Sequence, residues 1–291
     1  MNLSKLRRFV PLFLLAAIAL ALVVAIAPAS AAPPPLALTY NVQVLAVNDF
    51  HGQLMPPGTI GTPTGNVQAG GVEYLSTWIN TLRAQNPRTV VVSAGDMIGA
   101  TPLLSALFHD EPTIEAWNEI GLDFNAVGNH EFDEGLAELM RMDRGGCHPV
   151  DGCLDGDGFA GADFRYLAAN VFYEGTNRTI FPAFRVRTFP GGVKVAFIGM
   201  TLESTPSIVS PSGVAGLEFK DEADTVNRLV GQLRARGVNA FVVLVHEGGY
   251  PSLGTEYNGC PGISGPIVDI VERTRDEVDL FITGHTHQAY N

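Results

Sequence analysis

Positive charge is scarce in this sequence. Its 291 residues carry 18 Lys and Arg against 30 Asp and Glu, a formal net charge of −12. So acidic a chain argues against binding a nucleic-acid polymer through its phosphates. Cysteine is scarce too: Cys147, Cys153 and Cys260 are all there are, and an odd number cannot all pair within one chain. Several catalytic signatures are missing. Neither His130-Glu131 nor His246-Glu247 is completed to the H-E-x-x-H of zinc proteases, there is no Walker A loop, and Ser93 lacks the first glycine of a nucleophile elbow. No internal repeat and no long linker divides the chain, which is long and apolar enough (46% hydrophobic) for one large α/β domain or two small ones.

The one long apolar run lies at the N-terminus. Lys5, Arg7 and Arg8 precede an uncharged stretch over residues 9–27, followed by Ala29-Ser30-Ala31 and then Pro33-Pro34-Pro35. The pattern predicts a secretory signal peptide over residues 1–31, cleaved after about Ala31. The competing reading is an uncleaved anchor, the only case in which the chain meets a membrane. Both readings export the domain, making it periplasmic, cell-surface or secreted. Cleavage removes three positive charges and no acids, so residues 32–291 are more acidic still. Export permits disulfides. Cys147 and Cys153 flank a short loop that a disulfide could close, and Cys260 is left over.

Beyond residue 39 the chain alternates buried-type strands with amphipathic helices. Strands are expected over residues 40–47, 89–93, 124–127, 164–169, 183–189, 193–200, 241–245 and 280–283. Helices are expected over 72–85, 113–120, 134–142, 222–236 and 267–275. A Gly/Pro/Thr-rich loop covers 56–71, and Pro190-Gly191-Gly192 reads as a hairpin turn. Such alternation predicts an α/β fold.

Five of the apolar strands run into polar residues able to hold a metal: Asp49 and His51, Asp96, Asn129 and His130, His246, and His285 and His287. In α/β sheets, ligand sites form where the carboxyl ends of strands converge. Five of the seven histidines occupy such ends; His109 and His148 do not. A lone histidine, a Gly-Asp turn at Asp96 or an Asx-turn at Asp49 has an ordinary structural explanation. Five repetitions of one pattern do not. Carboxylate, imidazole and amide oxygen without thiolate suit Mn, Fe, Zn or Co. Seven candidate ligands exceed one ion and suit two, with Asp96 as the bridge, each of its oxygens facing one ion.

In order, Asn48-Asp49-Phe50-His51-Gly52, Gly95-Asp96, Gly128-Asn129-His130-Glu131-Phe132-Asp133, His246 and Gly284-His285-Thr286-His287 resemble the calcineurin-like metallophosphoesterases. Within them the motifs are most similar to the exported bacterial 5′-nucleotidase branch. The resemblance runs from about Val42 to Asn291. It implies a four-layer αββα sandwich and two-ion hydrolysis of phosphate esters, with 5′-nucleotides as the expected small-molecule substrate. Cyclic-nucleotide phosphodiesterase or nucleotide-sugar diphosphatase activity at the same centre is an alternative, and a non-catalytic metal-binding domain is an alternative of another class. By resemblance, Asp49, His51, Asp96 and His287 would hold one ion, and Asp96, Asn129, His246 and His285 the other. His130 would face the phosphate, oriented by Asp133, although Asp133 could instead cap the following helix. Glu131 reads as a loop or helix-start residue. The family's C-terminal substrate-binding domain is expected to be absent from residues 32–291. The chain ends four residues after His287, which leaves truncation of the sheet's C-terminal edge an open expectation.

Overall fold

The computed structural model describes residues 39–62, 65–252 and 258–291. The expected signal peptide, residues 1–31, lies outside the described residues. Among those described, no helix is long and apolar enough to cross a membrane.

Two four-stranded sheets lie face to face. The first has the order β1 (Gln43–Ala46), β4 (Thr89–Ser93), β5 (Phe124–Ala126), β6 (Arg165–Leu167), all parallel. The second has the order β12 (Leu280–Thr283), β11 (Ala240–His246), β9 (Lys194–Thr201), β8 (Phe184–Thr188). Its first three strands are parallel, and β8 is antiparallel to β9 through the expected Pro190–Gly192 turn. The inner strands β4, β9 and β11 are nearly continuous apolar runs because both of their faces are covered, whereas the edge strand β8 carries Arg185 and Arg187 and is largely exposed. Alternation decides the partner. Val90 and Val92 of β4 meet Phe197 of β9 and Leu244 of β11 between the sheets. On the opposite face of β4, Val91 joins the core under the first helical layer.

That layer holds α1 (Val72–Gln85), α2 (Leu103–Ala106), α3 (Glu111–Ile120) and α4 (Leu136–Arg144). Ile79, Ile114, Trp117, Leu139 and Met142 form its buried seam; complete burial of each such side chain contributes about 1.5–3 kcal/mol. On the far side, α5 (Glu222–Arg234) and α6 (Pro266–Arg273) bury Val226, Leu229, Leu233 and Ile267 on Ile198, Val243 and Val245. Helices, sheet, sheet, helices: the expected four layers are present.

Several expectations need correction. The 56–71 loop contains a hairpin, β2 (Gly58–Thr62) paired with β3 (Gly65–Ala69). A small two-stranded sheet of β7 (Val171–Tyr173) and β10 (Leu217–Phe219) was not foreseen. The helix expected from residue 134 begins at Leu136, because a 3-10 turn over His130–Phe132 and Gly135, with φ 86°, intervene. Cys147 and Cys153 are disulfide-bonded and Cys260 is free and exposed, as expected.

Candidate metal centre

Each candidate ligand sits at or just past the carboxyl end of a strand, and the two sheets present these ends to one another. Asn48 fastens the junction. Its side-chain amide donates to the carbonyl of Thr283 in β12 (2.7 Å) and accepts the N–H of Ala94 after β4 (2.8 Å). One side chain thus joins the two sheets beside the site.

Asp96 lies at the middle. Its Oδ2 is 2.9 Å from Nε2 of His246 and 3.7 Å from Nε2 of His51. Its Oδ1 accepts the N–H of His130 at 2.9 Å. Oδ2 thus faces both histidines, while Oδ1 accepts a backbone amide. Around it the groups cluster as Asp49, His51 and His287; His51, Asp96 and His130; and Asp96, His246 and His285. Nε2 of His287 is 3.2 Å from Nε2 of His51 and 3.5 Å from Oδ1 of Asp49. Oδ1 of Asn129 is 3.1 Å from Nε2 of His246.

The tautomers follow from the outer contacts. His246 donates its Nδ1–H to the carbonyl of Ala94 and His51 its Nδ1–H to that of Gly99, each at 2.8 Å. Both Nε2 atoms are left with lone pairs turned inward, as metal-binding imidazoles require. Nε2 of His246, Oδ2 of Asp96 and Oδ1 of Asn129 are then three lone-pair donors converging without a proton to share among them. That donor set fits a divalent cation. Without one, His246 must take the proton itself: burial opposes its charge, but the adjacent Asp96 carboxylate prevails and pushes the imidazole up to about 9. Burial likewise works against the Asp96 anion, yet His246 and the His130 amide hold its carboxyl below the usual range. His285 is lowered by burial and by facing His246, which keeps it neutral and able to ligate.

His130 and Asp133 form a pair at the rim, with Nδ1 of His130 2.7 Å from Oδ2 of Asp133. The alternative reading of Asp133 as a helix cap fails, since Gly135 occupies the N-cap position of α4. The hydrogen bond to Asp133 raises the His130 imidazole, partly offset by burial. His130 shares with Asp49, His51 and His287 the lining of an open cleft of about 410 Å³.

Glu131 is the residue whose part was missed. It is buried, and its carboxylate accepts the N–H groups of Asp96 (3.0 Å), Met97 (2.9 Å) and Gly128 (2.6 Å). It ties the loop after β4 to the loop after β5 and so sets Asp96 against Asn129. Burial and the nearby Asp96 charge push its carboxyl up to about 7 against the pull of these amides. The signal available in the sequence was an acid amid candidate ligands with no Lys or Arg beside it. Close approach of the two loops also explains two glycines. A Cβ at Gly95, where φ is 103°, would meet Gly128 N at 2.6 Å, and one at Gly128 would collide with Oδ1 of Asp96.

Backbone geometry marks the same residues. Asp49, His51, Asp96, His285 and His287 all have left-handed φ, between 46° and 72°. A side chain there costs about 1–2 kcal/mol, and such strain gathers at functional sites.

Facing sheets, parallel except for β8, bring carboxylate, imidazole and amide groups together around one carboxylate oxygen, the layout of a metal-dependent phosphoester hydrolase that uses two divalent ions. Residues 42–289 match the family described as calcineurin-like phosphoesterase, and the chain belongs to that family. It is 35% identical over 253 residues to Endonuclease YhcR of Bacillus subtilis, covering 86% of this chain and 20% of that protein. It is 26% identical over 257 residues to the 5′-nucleotidase of Vibrio cholerae, covering 86% and 41%. The fold is similar to that of NAD nucleotidase from Haemophilus influenzae, with TM-score 0.64 and 24% identity over 84% of this chain and 38% of that one. The chain thus spans less than half the length of each of these proteins.

Proposed function

We propose that this domain hydrolyses phosphomonoesters, with 5′-nucleotides as the substrate class, outside the cytoplasm. The position of Asp96 Oδ2 between His246 and His51 carries the reading. Asp49, His51, Asp96 and His287 would hold one ion, and Asp96, Asn129, His246 and His285 the other. When bound, two such ions supply charge neutralisation of the phosphoryl oxygens and an activated water.

The chain's own residues do the rest. Asp133 accepts Nδ1–H of His130 and favours the imidazolium, so Nε2 can offer a proton to the phosphoryl or leaving oxygen. A binder of metal alone has no use for that pair. Glu131 and Asn48 hold the loops in register, and a tightly positioned site is what makes such chemistry efficient. The name of the Vibrio relative supports the nucleotide class. The Cys147–Cys153 disulfide supports an oxidising compartment.

A second reading, phosphodiester cleavage, is favoured by the Bacillus relative, whose name is that of an endonuclease. The two separate in one experiment. Metal-stripped protein is reloaded with Mn, Zn, Fe or Co and assayed on AMP, an aryl phosphate, a cyclic nucleotide and single-stranded DNA. Phosphate release from AMP faster than cleavage of either diester is expected. Diester cleavage dominating would reverse the assignment. A folded protein with two ions and no turnover of any of the four would refute hydrolysis.

A further inference from the structure

His109 and His148, the two histidines away from the strand ends, are brought together by the structure. His109 directly precedes the segment entering α3, and His148 lies in the disulfide-closed loop after α4. Their rings stack, with centroids 3.7 Å apart and planes inclined by 13°. Asp151 completes the group: its Oδ2 is 2.9 Å from Nε2 of His109 and 3.3 Å from Nδ1 of His148. We propose that His109, His148 and Asp151 form a third metal site, for one zinc-type divalent ion, separate from the phosphoesterase centre.

The spacing fits. Zinc bonds of about 2.0–2.2 Å to nitrogen and oxygen place neighbouring ligand atoms of a tetrahedron roughly 3.3 Å apart. The donors fit as well, since two imidazoles and a carboxylate without thiolate suit zinc. Hydrogen bonding within the group leaves one contact unexplained. His109 can donate Nε2–H to Asp151. The N–H of Asp151, however, points at Nδ1 of His148, 3.2 Å away, so that nitrogen presents its lone pair. Oδ2 of Asp151 faces the same nitrogen, and one proton cannot serve both contacts. Nδ1 has a single lone pair, so a turn of the His148 ring that releases the Asp151 N–H lets a cation between Nδ1 and Oδ2 make ligands of two opposed acceptors.

The group is also held in advance. The Cys147–Cys153 disulfide closes the loop, and His148 and Gly152 exchange N–H···O bonds of 3.2 and 2.9 Å across it. Asp151 therefore cannot move far from His148. On the other side His109 and Asp110 are consecutive left-handed residues, with φ 51° and 61°. Asp110 is anchored by the N–H of Gly99 (3.1 Å) and the hydroxyl of Thr101 (2.7 Å). Coordination by both rings in their planes requires one to turn about its Cβ–Cγ bond out of the stack. The half-exposed Asp151 leaves room for that turn and for a water ligand. His109 lines a cleft of about 260 Å³ whose wall also includes His130 and Asp133. An ion here would pin the disulfide loop against that wall.

Zinc itself is the probe. Crystals soaked in zinc and measured at its absorption edge should show an anomalous peak about 2.0–2.2 Å from Nε2 of His109, Nδ1 of His148 and an Asp151 oxygen. In solution, elemental analysis at buffered free zinc should give wild type one equivalent more than His148→Ala and one more than Asp151→Asn. His109→Ala lies outside the disulfide ring and should lose the same equivalent, which separates ligand loss from a misfolded loop. Equal zinc content in the wild type and all three variants, with no peak at the triad, overturns the proposal.

Discussion

Nδ1 of His246 lies 2.8 Å from the carbonyl oxygen of Ala94, the residue that follows β4 of the opposite sheet. That contact orients the imidazole and at the same time draws the two sheets together where the ligands meet. The tautomer it sets turns Nε2 toward Asp96. Stability of the sandwich and competence of the site therefore share a hydrogen bond, as they also share the Asn48 side chain.

Replacing Asp96 by Asn keeps the shape and removes the charge that Oδ2 presents to both histidines. Metal affinity should fall at both positions, by at least about tenfold or 1.4 kcal/mol each. Elemental analysis after dialysis at limiting metal should find fewer than two ions per chain. Two retained ions would show that Asp96 is not shared.

His130→Ala should leave the metal content unchanged and lower turnover by roughly 10²-fold or more, the scale of a positioned acid or charge stabiliser. Asp133→Ala should lower it less, because the imidazole survives without its partner. Steady-state kinetics paired with metal analysis decides the matter: metal loss with unchanged activity per bound ion would make His130 a ligand.

Glu131→Gln tests the buried clamp. An amide in place of the carboxylate turns an N–H₂ group toward at least one of the backbone N–H groups of Asp96, Met97 and Gly128. An unsatisfied buried donor costs about 1–3 kcal/mol. Melting temperature and metal affinity should fall together, although no ligand has been touched. A normal melting curve with normal metal binding would show that the loops are held elsewhere.

Stability should also carry a pH signature from Glu222. Burial is the main cause that pushes its carboxyl up to about 7. The folded protein thus binds a proton between about pH 4.5 and 7 that the unfolded chain gives up. Its contribution is fully present below the unfolded pKa and is lost as pH rises through about 7, on the order of 3 kcal/mol at most. Denaturant titrations of wild type and Glu222→Gln across that window should show a flatter pH dependence in the variant. Parallel curves would rule this group out.

The candidate ligand positions are legible in the sequence for a physical reason. Asp49, Asp96, Asn129, His246 and His285 each follow an apolar run, where folding alone gives no cause for such side chains. The layers are legible for a related reason, since strands covered on both faces are apolar throughout. Other features leave no such trace. Glu131 looks like any acid at a helix start until its three amide partners are seen, because hydrogen bonding to a distant backbone has no periodicity. The β2–β3 hairpin hides in Gly and Thr, whose composition resembles a loop. His109 and His148 are 39 positions apart, and only the packing of the disulfide loop makes them neighbours.

The left-handed backbone at five of the candidate ligands bears on engineering. Glycine adopts those angles without the Cβ penalty of about 1–2 kcal/mol. Laboratory evolution scored on heat resistance alone would therefore find substitutions such as His51→Gly or His285→Gly attractive, and would accumulate sturdier proteins with an emptied centre. A screen for hardier forms of this domain has to count ions as well as melting temperature, because here much of the backbone strain sits at the candidate ligands.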